Sequence, residues 1–275
     1  MPGWLQDFLG IAKSFMQGSA CWDFCMEIVY ILMGSSPESL APDAWNYVTG
    51  TLYPWCSSIG AVMLNIFCLV GFIKQASNLK ENVTTEMWIE LFIKVIVGNY
   101  LMVHGIGLMS DFIRAAGLMS TEVMNTGLPG MYNSEVDAGA AFAYLIFGLI
   151  YILISMFCGV MIVIEVLGRY LNLYILMATA PLALSTIAGG RGIENTAIAW
   201  IKSFLTTVFQ IFIIAVILKI GGMMIQSNGF SDATGTPLDW FDGFKSVLLS
   251  MLYMIFMTTA IKGSDNFLKR TFDLR

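Results

Sequence analysis

Apolar positions in this chain fall into runs about twenty residues long, separated by short polar clusters. That is the signature of membrane helices rather than of the alternation expected in half-buried strands. A bilayer core of about 30 Å takes about 20 mostly apolar helical residues to cross. The pattern predicts spans over Tyr53–Ile73, Ile89–Ser110, Ala141–Ile164, Ala197–Ile225 and Phe244–Ile261. Lys74 ends the first span, and Lys94 lies close enough to one end of the second to snorkel. Between the third and fourth spans, Tyr170–Ala188 is apolar but holds Asn172, Thr179, Pro181 and Ser185. Proline removes a backbone donor and clashes with the preceding turn. Pro181 is therefore read as a helix break, and the segment as a sixth span or one that dips in and returns; the basic residues counted below favour a re-entrant or interfacial segment.

The first fifty residues have a different texture. Trp4/Leu5, Phe8/Leu9, Ile11/Ala12 and Phe15/Met16 recur at helical spacing, and Ala20–Met33 places Asp23 and Glu27 on one stripe before Gly34-Ser-Ser-Pro37 ends it. Residues 1–50 are expected to form amphipathic helices lying on the outer membrane face or packing on a partner, and residues 51–275 the transmembrane helical domain. The start of the chain has no basic stretch and no cleavage pattern after it, so no removable signal is expected. The fold class that follows is all-α, a polytopic membrane bundle of about five spans, one broken segment and amphipathic N-terminal helices.

Composition supports a lipid environment. Of 275 residues, 57% are apolar and 12% charged, where a soluble domain has roughly 45–50% and 25%. Too few polar side chains exist to cover a water-exposed surface, which excludes a soluble globular enzyme and a disordered chain. The net charge of −5 has the wrong sign for a nucleic-acid module. Five cysteines, an odd number without a C-x-x-C pair, include Cys68 and Cys158 as small apolar residues. A bridge from Cys21 or Cys25 to Cys56 is left open.

Topology follows from Lys and Arg. With five spans and Tyr170–Ala188 not crossing, ten basic residues lie on one side and four on the other. The expected arrangement has the N-terminus outside and the C-terminus in the cytoplasm.

Catalytic chemistry finds little support. There is no G-x-S-x-G, H-E-x-x-H or Walker-type sequence, and a single histidine argues against a His-based triad or metal site. No catalytic residue, metal or cofactor is expected. Ionisable and polar residues inside spans are functional candidates by default: Asn99 and His104 on the second span, and Glu165 with Arg169, spaced to pair across one helical turn.

The stretch from Arg169 to Ala188, with Ala180-Pro181-Leu182-Ala183, then Gly189-Gly-Arg-Gly192 and the helix start carrying Trp200, Lys202 and Phe204, resembles the central region of the TrbL family. That family is the polytopic membrane subunit of conjugation and type IV secretion machines. The similarity in order covers about residues 140–270. It implies a non-enzymatic channel or scaffold subunit in the cytoplasmic membrane. Copies would assemble as a ring among other secretion-system subunits and cytoplasmic ATPases, passing a DNA–protein substrate. Arg191, Glu194 and Lys202 are then expected on a cytoplasmic turn, where they dock such an ATPase, or where Arg191 anchors the helix end to lipid phosphate. The alternative reading is a small-solute or ion transporter, in which Glu165 or His104 is indispensable.

Overall fold

The computed structural model describes residues 19–76, 85–125, 141–190, 192–226 and 242–272, all in helices and short corners, with no strand among them. The order is α1 (Ser19–Gly34), α2 (Pro37–Leu40), α3 (Pro42–Tyr47), a π turn at Val48–Leu52, α4 (Tyr53–Ala76), α5 (Thr85–Met124), α6 (Ala141–Leu184), a 3₁₀ turn at Ser185–Ala188, α7 (Glu194–Gln226) and α8 (Asp242–Thr271). The chain is an all-α membrane protein. Phe8 and Phe15, with the rest of the first amphipathic stretch, lie outside the described residues.

Four helical stretches among the described residues are long and apolar enough to cross a membrane: Pro42–Lys74, Trp88–Met124, Gly148–Ala188 and Glu194–Met224. That is one fewer than the sequence pattern predicts. The missing one falls in α8, whose described apolar run stops at Lys262, short of the roughly 20 residues a crossing takes. The first stretch runs through the π turn, so helical structure is continuous across residue 50.

Pro181 corrects the second expectation. It lies inside α6, a single helix of 44 residues, and the helix continues to Leu184 before tightening into the 3₁₀ turn. Proline has no N–H to give the Met177 carbonyl, so one backbone bond is missing there, yet the helix runs through it. Ser185 donates to the Leu182 carbonyl (2.7 Å) and Thr186 to the Ala183 carbonyl (2.7 Å), so hydroxyls satisfy acceptors at the helix end. Tyr170–Ala188 is therefore no separate re-entrant segment but the final turns of α6. At 1.5 Å per residue the helix is about 66 Å long, roughly twice the bilayer core.

The chain divides into two compact units. One comprises residues 1–34, 118–168 and 211–266, and its ranges carry four Lys/Arg against eleven Asp/Glu. The other comprises residues 35–117, 169–210 and 267–275, with ten Lys/Arg against eight Asp/Glu.

In the acidic unit, α1 buries Trp22, Cys25, Met26, Val29, Leu32 and Met33, a stripe at three- and four-residue steps, while Asp23 and Glu27 stay exposed. Gly159 of α6 lies against Cys25, so close that a β-carbon there would fall 2.8 Å from its sulfur. The buried side of α1 is thus covered by this chain itself, while Phe24, Tyr30 and Ile31 remain exposed. All five cysteines are free thiols, and no bridge joins Cys21 or Cys25 to Cys56. Burial pushes the Cys25 thiol above its ordinary value, with Cys21 adding to the effect.

In the basic unit, α4 runs back along the first half of α5 and against the end of α6. Leu64, Met102 and Ala188 form its core, with Cys68, Val95 and Ile187 packed around them. Two glycines allow this approach: a β-carbon at Gly60 would lie 2.7 Å from the Pro181 carbonyl oxygen, and one at Gly71 2.5 Å from that of Ala188. Tyr53 donates to the Met102 carbonyl at 2.9 Å, closing the other end of the α4–α5 pair. Tyr170 and Tyr174, one turn apart on α6, donate to Ser35 O (2.9 Å) and Pro37 O (2.7 Å), pinning the corner that leads into α2.

Candidate functional site

The turn between α6 and α7 is the best-built polar feature of the basic unit. Its shape comes from glycine. Gly190 and Gly192 have φ of +73° and +98°, the left-handed region that residues with a β-carbon avoid. The amides of Ile193 and Glu194 both donate to the Gly190 carbonyl at 3.2 Å, starting α7 immediately after the turn. Gly189 donates to Thr186 O at 3.0 Å and closes the 3₁₀ turn.

The turn is clamped from both sides. Gly71 of α4 lies directly on the Ala188 carbonyl, and Ile187 packs beside Leu64 and Gly98. Phe72 and Trp88 meet with ring centroids 4.9 Å apart, holding the ends of α4 and α5 beside it. An ion pair completes the clamp: Lys94 Nζ of α5 lies 2.9 Å from Glu194 Oε2 and 2.9 Å from Glu90 Oε1. Glu194 is the first residue of α7, where a carboxylate also meets the positive end of the helix dipole.

This placement changes the role of Glu194. The sequence puts it on a free docking surface, yet its carboxylate is held by Lys94. Lys202 is half-buried two turns further along α7. Flanking Lys202, Trp200 stacks on Phe204 (centroids 5.5 Å, planes 10° apart), and among the described residues the buried Trp200 indole N–H has no acceptor. Arg191 lies outside the described residues.

The intramembrane candidates separate. Asn99 and His104 are exposed on α5, and His104 packs on the Tyr100 ring at 4.7 Å. Glu165 is half-buried on α6. Arg169 is 2% exposed; its Nε donates to the Thr207 carbonyl of α7 (3.0 Å) and its guanidinium lies 5.0 Å from the Tyr170 ring centroid. Among the described residues, Nη1 of Arg169 has no hydrogen-bond partner. The guanidinium therefore works as a buried cross-brace from α6 to α7.

Sequence reading missed the clamp. Lys94 reads as a snorkelling residue, although Glu90 four positions earlier marks it as a helix-surface pair. Nothing local signals that Glu194, a hundred residues away, completes it. Among the described residues no group of three or more His, Cys, Asp or Glu side chains is placed to hold a metal ion. Comparison with protein families, with characterised proteins and with solved structures finds no match to this chain.

Proposed function

We propose that the chain is a non-enzymatic subunit of a conjugative, type IV secretion-like apparatus in the cytoplasmic membrane. It assembles with copies of itself into a ring, with its N-terminus outside and the α6–α7 turn inside; a C-terminus inside requires α8 to be a fifth crossing. The observation that carries the reading is the clamped α6–α7 turn. The segments on which the TrbL-like resemblance rests, Ala180–Ala183, the glycine turn and the Trp200/Phe204 helix start, belong to one compact unit.

The charge distribution supports the orientation. Basic residues favour the cytoplasmic side, and Arg169, Arg191 and Lys202 lie before, in and after this turn in the sequence. With Glu194 engaged by Lys94, the docking role falls to Arg191, which stands between Gly190 and Gly192 in the sequence. A cytoplasmic ATPase is the partner this reading implies, and a DNA–protein substrate the cargo.

Cryo-EM of the protein in lipid nanodiscs tests the assembly. The reading expects a rotationally symmetric particle of several copies, and a monomer across several lipid compositions overturns it. Solute flux by the purified protein in liposomes, abolished by His104→Ala or Glu165→Gln, would favour a small-solute or ion transporter instead.

A further inference from the structure

Among the described residues five buried polar side-chain atoms lack a hydrogen-bond partner, and three of them, Arg169 Nη1, Trp200 Nε1 and Thr206 Oγ1, belong to the basic unit. Each can donate, and the first two can only donate. The sequence of α7 gathers them. At 3.6 residues per turn, Trp200, Ser203, Thr206, Thr207 and Gln210 fall within an arc of about 120°. Ala197, Phe204 and Val208, all buried, take the opposite side. No side chain of α7 from Trp200 to Gln210 is exposed, so the polar face lies inside the unit.

Arg169 brings a charge to this face. It is 2% exposed, and its Nε donates to the Thr207 carbonyl at 3.0 Å. A helical carbonyl points toward the residue four positions on. The guanidinium therefore sits over the turn of α7 that carries Gln210, itself 6% exposed. Thr206 stands one position before the accepting residue. The Tyr170 ring centroid, 5.0 Å from the guanidinium, covers it from its own helix. Among the described residues no carboxylate pairs with Arg169. A cation taken out of water without a counter-charge is strongly disfavoured, and buried charges are paired or neutralised. An anion supplies what the protein leaves out.

We propose that Arg169, Thr206 and Gln210 hold a small monovalent anion of the halide class between α6 and α7. A single guanidinium balances one negative charge, which favours a halide over a phosphate. The other donors are uncharged N–H and O–H groups, which a spherical ion accepts from any direction. Tyr170 and Leu173 on α6 and Val208 on α7, within one turn of these residues, are 3% exposed or less. The ion is closed off from bulk water, where the attraction of the guanidinium is least screened. Ser203 and Trp200, both half-buried, continue the polar face toward Thr196, which is exposed in the first turn of α7. The ion exchanges along that face. The site does not depend on the ring reading, because all its residues belong to one chain.

Thermal unfolding of the purified full chain in detergent, with chloride exchanged for gluconate at constant ionic strength, tests the site. The midpoint of the wild type should rise saturably with chloride, and bromide should replace it. Thr206→Val, which keeps the side-chain shape, should weaken the apparent chloride affinity by roughly tenfold, the loss of one hydrogen bond to a charged group. Arg169→Gln should abolish the dependence, and Arg114→Gln, at an exposed position of α5, should leave it unchanged. Equilibrium dialysis of the wild type with radiolabelled chloride needs no variant to fold, and it should retain one ion per chain. No retained ion overturns the site, whatever the midpoint does, and leaves the open donors to buried water. A chloride dependence that survives undiminished in both Thr206→Val and Arg169→Gln also overturns it.

Discussion

Replacing Lys94 by alanine should loosen the α6–α7 turn, and the size of the effect follows from its surroundings. Lys94 and Glu194 are about a quarter exposed, at 27% and 25%, and their charged atoms are 2.9 Å apart. At an effective dielectric constant of about 20, unit charges about 3 Å apart attract by about 5 kcal/mol before desolvation and side-chain ordering are subtracted. Exposed pairs retain about 0.2–1 kcal/mol of that, while orphaning one member of a fully buried pair costs about 3–5 kcal/mol. A quarter-exposed pair lies between, so a coupling of about 1–1.5 kcal/mol is expected. The measurement is a double-mutant cycle of Lys94→Ala and Glu194→Ala, read by reversible unfolding in detergent. Lys94→Glu should be worse than alanine, because it gathers three carboxylates. Adding Glu194→Lys should recover much of the loss, though Glu90 would still repel position 94. In about 1 M salt, where the screening length is about 3 Å, the coupling should shrink. A coupling below about 0.3 kcal/mol, within the ordinary error of additivity, would show that the pair is incidental and the turn is held by packing alone.

Gly71→Leu should destabilise the basic unit by about 3 kcal/mol or more, since overpacking against a backbone carbonyl cannot relax through a rotamer; a monodisperse, wild-type melting profile would refute the close approach. Gly107→Ala, with open space around it inside α5, should raise stability by about 0.5–1 kcal/mol in the same assay, and a loss would contradict the open space. Tyr174→Phe should cost about 1 kcal/mol through loss of its bond to the Pro37 carbonyl, and an unchanged unfolding midpoint would show that the corner is held without it. A small membrane-permeant thiol reagent should modify Cys21 and Cys68 in the folded protein well before the buried Cys25, Cys56 and Cys158, as read by peptide mass spectrometry; equal rates would contradict the packing described.

Much of the fold is legible in the sequence because membrane solubility writes itself into local composition. Runs such as Tyr53–Ile73 and Ala141–Ile164 locate helices, and Asp23 and Glu27 mark the exposed side of α1. What misleads is a local rule applied without the packing around it. Pro181 reads as a break because proline is costly inside a helix, yet α6 runs through it with one backbone bond missing, at the Met177 carbonyl. The continuity of α6 then follows from packing against Gly60 and Gly71, which no residue near 181 announces. The candidate site divides in the same way. The glycine turn is visible as Gly189-Gly190 and Gly192, whereas the ion pair from Lys94 to Glu194 joins residues a hundred positions apart. The expected partner of Arg169 is the acid one turn before it, yet its Nε donates to a backbone carbonyl on the next helix. Pair rules along one helix do not see that neighbour.

Transfer frequency from donor cells is the most direct test of the proposed role. The gene would be deleted from a conjugation-competent donor and supplied again in trans. The account predicts that transfer falls to the level of donors lacking the coupling ATPase and returns with the wild-type chain, while Arg191→Glu reaches wild-type membrane levels but restores transfer poorly. Undiminished transfer from the deletion donors would contradict it.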